Sequence, residues 1–301
     1  MPQTSRIVQG LMRVFGKSKE DLYDLISYDL DHGVTYFDTA DCYGDGLSES
    51  LLGEVLSEHP ELRERMFIQT KVAIRRGSDG KSYYDLGKEH ILQAVDASLN
   101  RLGIGCVDRL LFHRPDIFLD AKEVAEALEI LFTSGKIASF GLSNFPKETI
   151  EYLQSETRFP PLVNQLEFGL GHLPLVSEPL NTNLNHDDSL YRSGELFYYM
   201  KRKGIALQAW SPFQKGYFGG SILDHGRFPE INMALEGFAR KYQTSPAAIA
   251  TAFILALDEN VSVVTGSMDP RHVQECIDGL NVPLTKEDWY ALYRAGGANL
   301  P

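Results

Sequence analysis

The chain has 301 residues, of which 29 are Lys or Arg and 41 are Asp or Glu, giving a formal net charge of −12. With 43% hydrophobic and 23% charged residues it can build a core, and its acidic balance argues against a nucleic-acid surface. No apolar run approaches the roughly 20 residues of a membrane span, the first residues lack the apolar stretch of a signal peptide, and three cysteines without metal-ligand spacing (Cys42, Cys106, Cys276) suit a reduced, cytoplasmic chain with neither disulfide framework nor zinc site.

Short β-type runs alternate with amphipathic helical patterns along almost the whole chain, the order expected of a parallel sheet built from βα units. Strands are expected at Ile7–Leu11, Thr35–Asp38, Met66–Thr70, Val107–Phe112, Ser139–Leu142, Leu162–Leu166, Ala206–Ala209 and Val261–Thr265. Helices are expected at Lys19–His32, Ser48–Glu58, Lys88–Leu102, Lys122–Ser134, Lys147–Ser155, Leu190–Lys203, Ser245–Glu259 and Pro270–Leu280. In the fourth helix Val124, Leu128 and Leu131 share a face and Gly135 follows as a stop; in the seventh, Ser245 and Pro246 read as N-cap and first-turn proline. Eight such units without linker or repeat predict one domain, residues 1–301, an eight-stranded parallel (β/α)8 TIM barrel, with a doubly wound open sheet as the alternative.

In such a barrel the site is built at the carboxyl ends of the strands. Asp38 ends the second strand with Tyr43 in the loop after it, Lys71 follows the third, and His113 follows the fourth. A buried charge needs a partner, and Asp38 and Lys71, on adjacent strands, can supply it to each other. A paired Lys beside a phenol favours the phenolate, so Tyr43 can act as general acid while His113 orients a substrate oxygen. Protonating a carbonyl oxygen as hydride arrives at its carbon fits this set, and hydride requires a cofactor. Ser143, Asn144 and Gln165 can hold a carboxamide, and the indole of Trp210 can stack on a flat ring. A long loop, Ser211 to Asn232, follows, and Gly266–Ser267 opens onto a helix N-terminus suited to an anion. Cys42, beside Tyr43, reads as a small residue in a tight loop.

The segments Phe37 to Gly44 (Phe-Asp-Thr-Ala-Asp-Cys-Tyr-Gly), Ser48-Glu49, Leu52-Gly53, Thr70-Lys71, Leu111 to Asp116 (Leu-Phe-His-Arg-Pro-Asp), Gly135-Lys-Ile, Gly141 to Phe145, Asn164-Gln165, Ala209 to Pro212 and Gly266-Ser267 resemble those of the aldo-keto reductases, in the family's order and over nearly the whole chain. Among these, the bacterial oxidoreductases with a His-Arg-Pro-Asp motif are the most similar. The resemblance implies NADPH as hydride donor, with NAD not excluded, and a small carbonyl compound as acceptor. It implies a tetrad of Asp38, Tyr43, Lys71 and His113; no metal site is expected. It also implies Ser143, Asn144 and Gln165 on the nicotinamide amide, Trp210 stacked on its ring, Ser211, Pro212, Phe213 and Gly216 around the pyrophosphate, and Ser267 and Glu275 near the adenosine 2′-phosphate and the adenine; the Gly266–Ser267 turn and the charge of Arg271 are expected to meet the 2′-phosphate as well. Many members carry Arg five residues after that Ser; this chain has His272 there and Arg271 one place earlier, and Cys276 where Asn commonly follows the Glu. Two other readings stay open: a nucleotide-binding sensor with little turnover, and a Schiff-base lyase using Lys71.

Overall fold

The computed structural model describes residues 4–180, 195–215 and 219–298. Eight parallel strands close into a barrel with helices between them, as the alternating pattern predicts. These are β1 (Ile7–Gly10), β2 (Tyr36–Asp38), β3 (Phe67–Val72), β6 (Arg109–Phe112), β7 (Phe140–Ser143), β8 (Val163–Glu167), β9 (Ala206–Trp210) and β10 (Ser262–Thr265). Their order around the barrel is β1-β10-β9-β8-β7-β6-β3-β2. A two-stranded antiparallel hairpin, β4 (Ile74–Arg76) with β5 (Ser82–Tyr84), interrupts the run after β3 and was not expected. Chain contacts divide the molecule into two compact units, residues 1–165 and 166–301.

In the first unit the register sets Gly10 beside Asp38, Asp38 beside Gln69, and Lys71 beside Leu111. Side chains alternate across a strand, so Tyr36 and Asp38 share one face of β2, and Gln69 and Lys71 one face of β3. The helices are α1 (Lys19–Asp31), α2 (Leu47–Glu58), α3 (Leu62–Arg65), α4 (Lys88–Leu102), α5 (Ala121–Thr133) and α6 (Lys147–Gln154). Helix α1 starts at a capping box on Ser18 and Asp21 and buries Leu22, Leu25, Ile26, Asp29 and Leu30. Helices α2 and α4 pack so closely that a Cβ on Gly53 would lie 2.0 Å from the Arg101 carbonyl oxygen; only glycine fits.

The second unit holds β9, β10 and helices α7 (Pro174–Leu180), α8 (Glu195–Lys203), α9 (Pro229–Tyr242), α10 (Pro246–Leu255), α11 (Pro270–Asp278) and α12 (Lys286–Ala295). The expected helix over 190–203 begins among residues outside those described; its described part is α8. The stretch read as a loop to Asn232 ends in α9, which opens on Pro229 and buries Ile231, Leu235 and Ala239. Helix α12, also unexpected, opens on a Thr285–Asp288 capping box. Its Asp288 accepts two hydrogen bonds from the Lys241 ammonium, at 2.7 and 2.8 Å, and one from the Tyr242 hydroxyl, tying α12 to the end of α9. Trp289 stacks on Phe253, ring centroids 4.8 Å apart, and its indole N–H donates to the Phe253 carbonyl.

Candidate active site

The loop after β2 continues the sheet ladder for two steps before turning. Thr39 N–H donates to the Gln69 carbonyl and Asp41 N–H to the Lys71 carbonyl. The chain then enters a 3-10 turn at Tyr43–Gly46 in which Gly44, Asp45 and Gly46 all have left-handed backbones. At Gly44 the conformation and the space agree, because a Cβ there would lie 2.8 Å from the Phe15 ring. The Arg76 guanidinium on the hairpin donates to Asp45 at 2.9 Å and holds the turn from outside.

This turn delivers Tyr43 to Lys71. The Lys71 ammonium, fully buried, donates three hydrogen bonds: to Asp38 Oδ2 at 2.7 Å, to the Thr39 carbonyl at 2.8 Å and to the Tyr43 hydroxyl oxygen at 3.0 Å. All three ammonium protons are therefore engaged, and the Tyr43 proton is left to be donated elsewhere. Asp38 Oδ1 accepts from Gln69 at 2.7 Å and from Gln165 at 3.2 Å. Behind Gln69 the Tyr36 hydroxyl donates to its Oε1 at 2.6 Å, and Arg109 donates to the Tyr36 oxygen at 2.7 Å. A string of donors thus runs from the Arg109 cation to the Asp38 anion. The His113 ring meets the Tyr43 ring edge-on, centroids 5.7 Å apart. Its Nδ1 lies 3.6 Å from the Cys42 sulfur.

Burial disfavours the Lys71 charge, but Asp38 and Tyr43 outweigh it and hold the pKa above the ordinary lysine value. Tyr43 is pushed up to about 12 by burial, with Lys71 pulling the other way. His113 is held well below its ordinary value by burial and by the charges of Lys71 and Arg114, so it is a neutral imidazole at pH 7. Asp41 is raised to about 7 by burial and by the neighbouring Glu49 carboxylate.

Ser143, at the end of β7, pairs in register with Gln165 on β8; both are buried. Asn144 N–H donates to the Gln165 carbonyl at 2.9 Å, and the Asn144 amide donates to the Ser143 hydroxyl at 2.9 Å. Asn164 fixes this loop, exchanging hydrogen bonds with the Phe145 backbone at 2.8 and 3.3 Å. The first unit therefore brings together seven of the expected site residues: Asp38, Tyr43, Lys71, His113, Ser143, Asn144 and Gln165.

In the second unit Trp210 ends β9 and Ser211, Pro212 and Phe213 form the turn after it, with the Gln214 N–H donating to the Ser211 carbonyl. Gly216 lies outside the described residues. Gly266 and Ser267 follow β10, and the Ser267 hydroxyl sits 2.9 Å from His272 Nδ1. Asp269 caps α11 and also holds the Arg271 guanidinium, at 2.6 Å to Nη2; Arg271 is 88% exposed. Glu275 is half-buried on the same helix.

Among the described residues five non-glycines have left-handed backbones, and three of them, Ala73, Asn144 and Ser211, directly follow the barrel strands β3, β7 and β9. Such strain persists where surrounding structure over-determines it and clusters at functional sites. Gln69, Tyr36 and the Thr39 carbonyl were not foreseen as parts of the site. The signal for Gln69 was present in Phe67-Ile-Gln-Thr-Lys71, where an amide sits one period-two step from the lysine.

A closed barrel carrying a buried Lys–Asp–Tyr cluster at its strand ends defines a class of oxidoreductase folds, and the comparisons agree. The profile of the Aldo/keto reductase family matches residues 6–295. The 6-dehydroglucose reductase of Agrobacterium fabrum is 31% identical over 97% of this chain and 94% of its own length. The NADH-specific methylglyoxal reductase of Escherichia coli is 28% identical over 85% and 81%. The crystal structure of the thermostable aldo-keto reductase Tm1743 in complex with epalrestat superposes with a TM-score of 0.76 at 22% identity, covering 97% of this chain and 95% of that one. The chain belongs to the aldo/keto reductase family of oxidoreductases.

Proposed function

We propose that the protein reduces the carbonyl group of an aldehyde or ketone to an alcohol, with NADPH as hydride donor and Tyr43 as proton donor. The observation that carries this reading is the Lys71 ammonium held between Asp38, the Thr39 carbonyl and Tyr43 at 2.7, 2.8 and 3.0 Å. Because Lys71 already donates to the Tyr43 oxygen, the phenol proton is directed outward, and the ammonium stabilises the phenolate left when that proton moves to the carbonyl oxygen. Asp38 keeps the lysine charged and in place. The neutral His113 orients the carbonyl. When bound, the nicotinamide supplies the hydride.

The residues present fit that group. Ser143, Asn144 and Gln165 form a compact patch of donors and acceptors suited to a carboxamide. The N-terminus of α11 with Arg271 suits the 2′-phosphate, with Arg271 exchanging Asp269 for it. Trp210 would lie on the ring, and Ser211 to Phe213 and Gly216 around the pyrophosphate. We read residues 1–301 as one domain, supported by a family match over 6–295. Three unpaired cysteines support a reducing, cytoplasmic setting, and no helix among the described residues is long and apolar enough to cross a membrane. The raised pKa of Lys71 disfavours the Schiff-base lyase, which needs a neutral amine.

The test is Tyr43→Phe. With NADPH and a panel of aldehydes that includes sugar aldehydes, the substrate type named for the Agrobacterium relative, turnover should fall by about 10²–10⁴-fold. Nucleotide affinity and folding should stay near wild type. Turnover at the wild-type rate would remove Tyr43 as the acid, and nucleotide binding without turnover by the wild type would favour the sensor.

A further inference from the structure

His113 can orient a carbonyl only if one ring nitrogen presents a proton, and a neutral imidazole carries that proton on one nitrogen alone. Which nitrogen it is depends on what the other one meets. Nδ1 meets the Cys42 sulfur at 3.6 Å, and among the described residues no partner takes Nε2. His113 is buried to 8% exposure, so water does not freely supply the choice.

The thiol can act in two ways, as S–H donor to Nδ1 or as sulfur acceptor from an Nδ1 proton. Sulfur is a weak partner in either role, but a thiol that keeps its proton needs an acceptor, and the imidazole nitrogen lone pair beside it is a strong one. Burial and the Asp41 carboxylate push the Cys42 pKa up to about 12, so the thiol retains its proton throughout the neutral range. Both facts favour the first arrangement.

We infer that Cys42 is a positioning residue for His113: its S–H donates to Nδ1 and so fixes the ring proton on Nε2, where it can be given to the substrate oxygen. The residue directly before the proposed proton donor thereby sets the other donor of the site. One short turn, Cys42–Tyr43, governs both. This inference rests on the reading of His113 as the group that orients the carbonyl, but it concerns the resting protein and is tested there.

The measurement is the long-range ¹H–¹⁵N correlation of the His113 ring in uniformly ¹⁵N-labelled protein at pH 7 without nucleotide, assigned by comparison with His113→Gln. In the wild type Nδ1 should give the downfield, unprotonated resonance and Nε2 the protonated one. In Cys42→Ala the two resonances should move toward each other as both tautomers populate, and kcat should fall about two- to five-fold, the scale of one weak hydrogen bond. In the His113→Gln background the same cysteine substitution should cost nothing further. A proton on Nδ1 in the wild type overturns the inference, as does a Cys42→Ala protein with unchanged ring nitrogens, whatever its rate. Should Cys42→Ala fail to fold, the S–H infrared stretch serves: it should be lowered in the wild type and return to the free-thiol position in His113→Gln, and an unshifted stretch refutes the bond. A wild-type Nε2 tautomer that collapses in Cys42→Ala while Tyr43→Phe keeps full turnover would leave this inference standing and remove the tyrosine acid.

Discussion

Tyr43 is subject to opposing influences: burial holds its proton on, and the Lys71 ammonium 3.0 Å away draws it off. The sequence suggested that Lys71 would dominate; the structure has burial ahead, with the phenol near 12. Burial keeps the phenol protonated at neutral pH, while an efficient general acid has a pKa nearer the operating pH, so the proposed proton transfer leans on the Lys71 ammonium to offset burial. At the other end of the proposed cofactor, Arg271 is engaged by Asp269, whose carboxylate it lowers to about 2. That pairing would compete with the 2′-phosphate of the proposed cofactor. Asp269→Asn, which can still cap α11, should therefore tighten NADPH binding by about two- to ten-fold and leave NADH unchanged, since releasing an exposed pair of this kind is worth little more. Quenching of tryptophan fluorescence would read it, because Trp289 is stacked on Phe253 and Trp210 alone is expected near the nucleotide. Equal changes for the two nucleotides would displace Arg271 from the phosphate. The charged members of the site were legible because a Lys or Asp in an apolar run is conspicuous; the Gln69–Tyr36–Arg109 string was not, because uncharged Gln and Tyr read as ordinary strand residues.

Among the elements, α1 carries an anomaly on its buried face. Asp29 occupies a position between Ile26 and Leu30 where a leucine would be expected; it has no exposed surface, and neither carboxylate oxygen has a hydrogen-bond partner. Burial pushes its pKa up to about 8. In the unfolded chain it ionises at its ordinary value near 4. Between about pH 4 and 8 the unfolded state therefore gives up a proton that the folded state keeps, and the group destabilises the fold progressively as pH rises through that window. Asp29→Asn should raise the urea midpoint at pH 8. The stability difference from wild type should grow by up to roughly 1.4 kcal/mol per pH unit across the window and level off above it. A difference independent of pH would mean that Asp29 is ionised in the fold. Helices with a one-sided apolar stripe and a cap were readable to within a few residues, α4 and α5 among them. Helix α9 escaped because the glycines before it read as a continuing loop, and α12 because its Thr285–Asp288 signature lies beyond the eighth βα unit.

For the molecule as a whole, counting eight βα units pointed to the barrel, since strands buried on both sides are largely apolar and their spacing leaves room for little but a helix. The hairpin after β3 was hidden: its strands are three residues long and mostly exposed, so burial imprints no alternation on them. Packing between layers is equally invisible from sequence, and Gly53 is the instance with the widest reach. Helix α2 carries Glu49, whose carboxylate accepts from Thr70, the residue before Lys71, and is gripped by Arg101 on α4 at 2.7 Å. A methyl group at position 53 would meet the Arg101 backbone, so α2 and α4 would have to part. Glu49 would be carried with α2, and with it Thr70, the neighbour of the ammonium on which the proposed proton transfer depends. Gly53→Ala should thus lower kcat several-fold and lower the melting temperature, without touching any residue proposed to meet substrate. Unaltered kinetics in a destabilised variant would separate scaffold from chemistry. The outer helical layer then acts as a tuning screw on the site: distant substitutions along the α2–α4 seam are places where selection could adjust the rate while leaving every reacting group in its own side-chain identity.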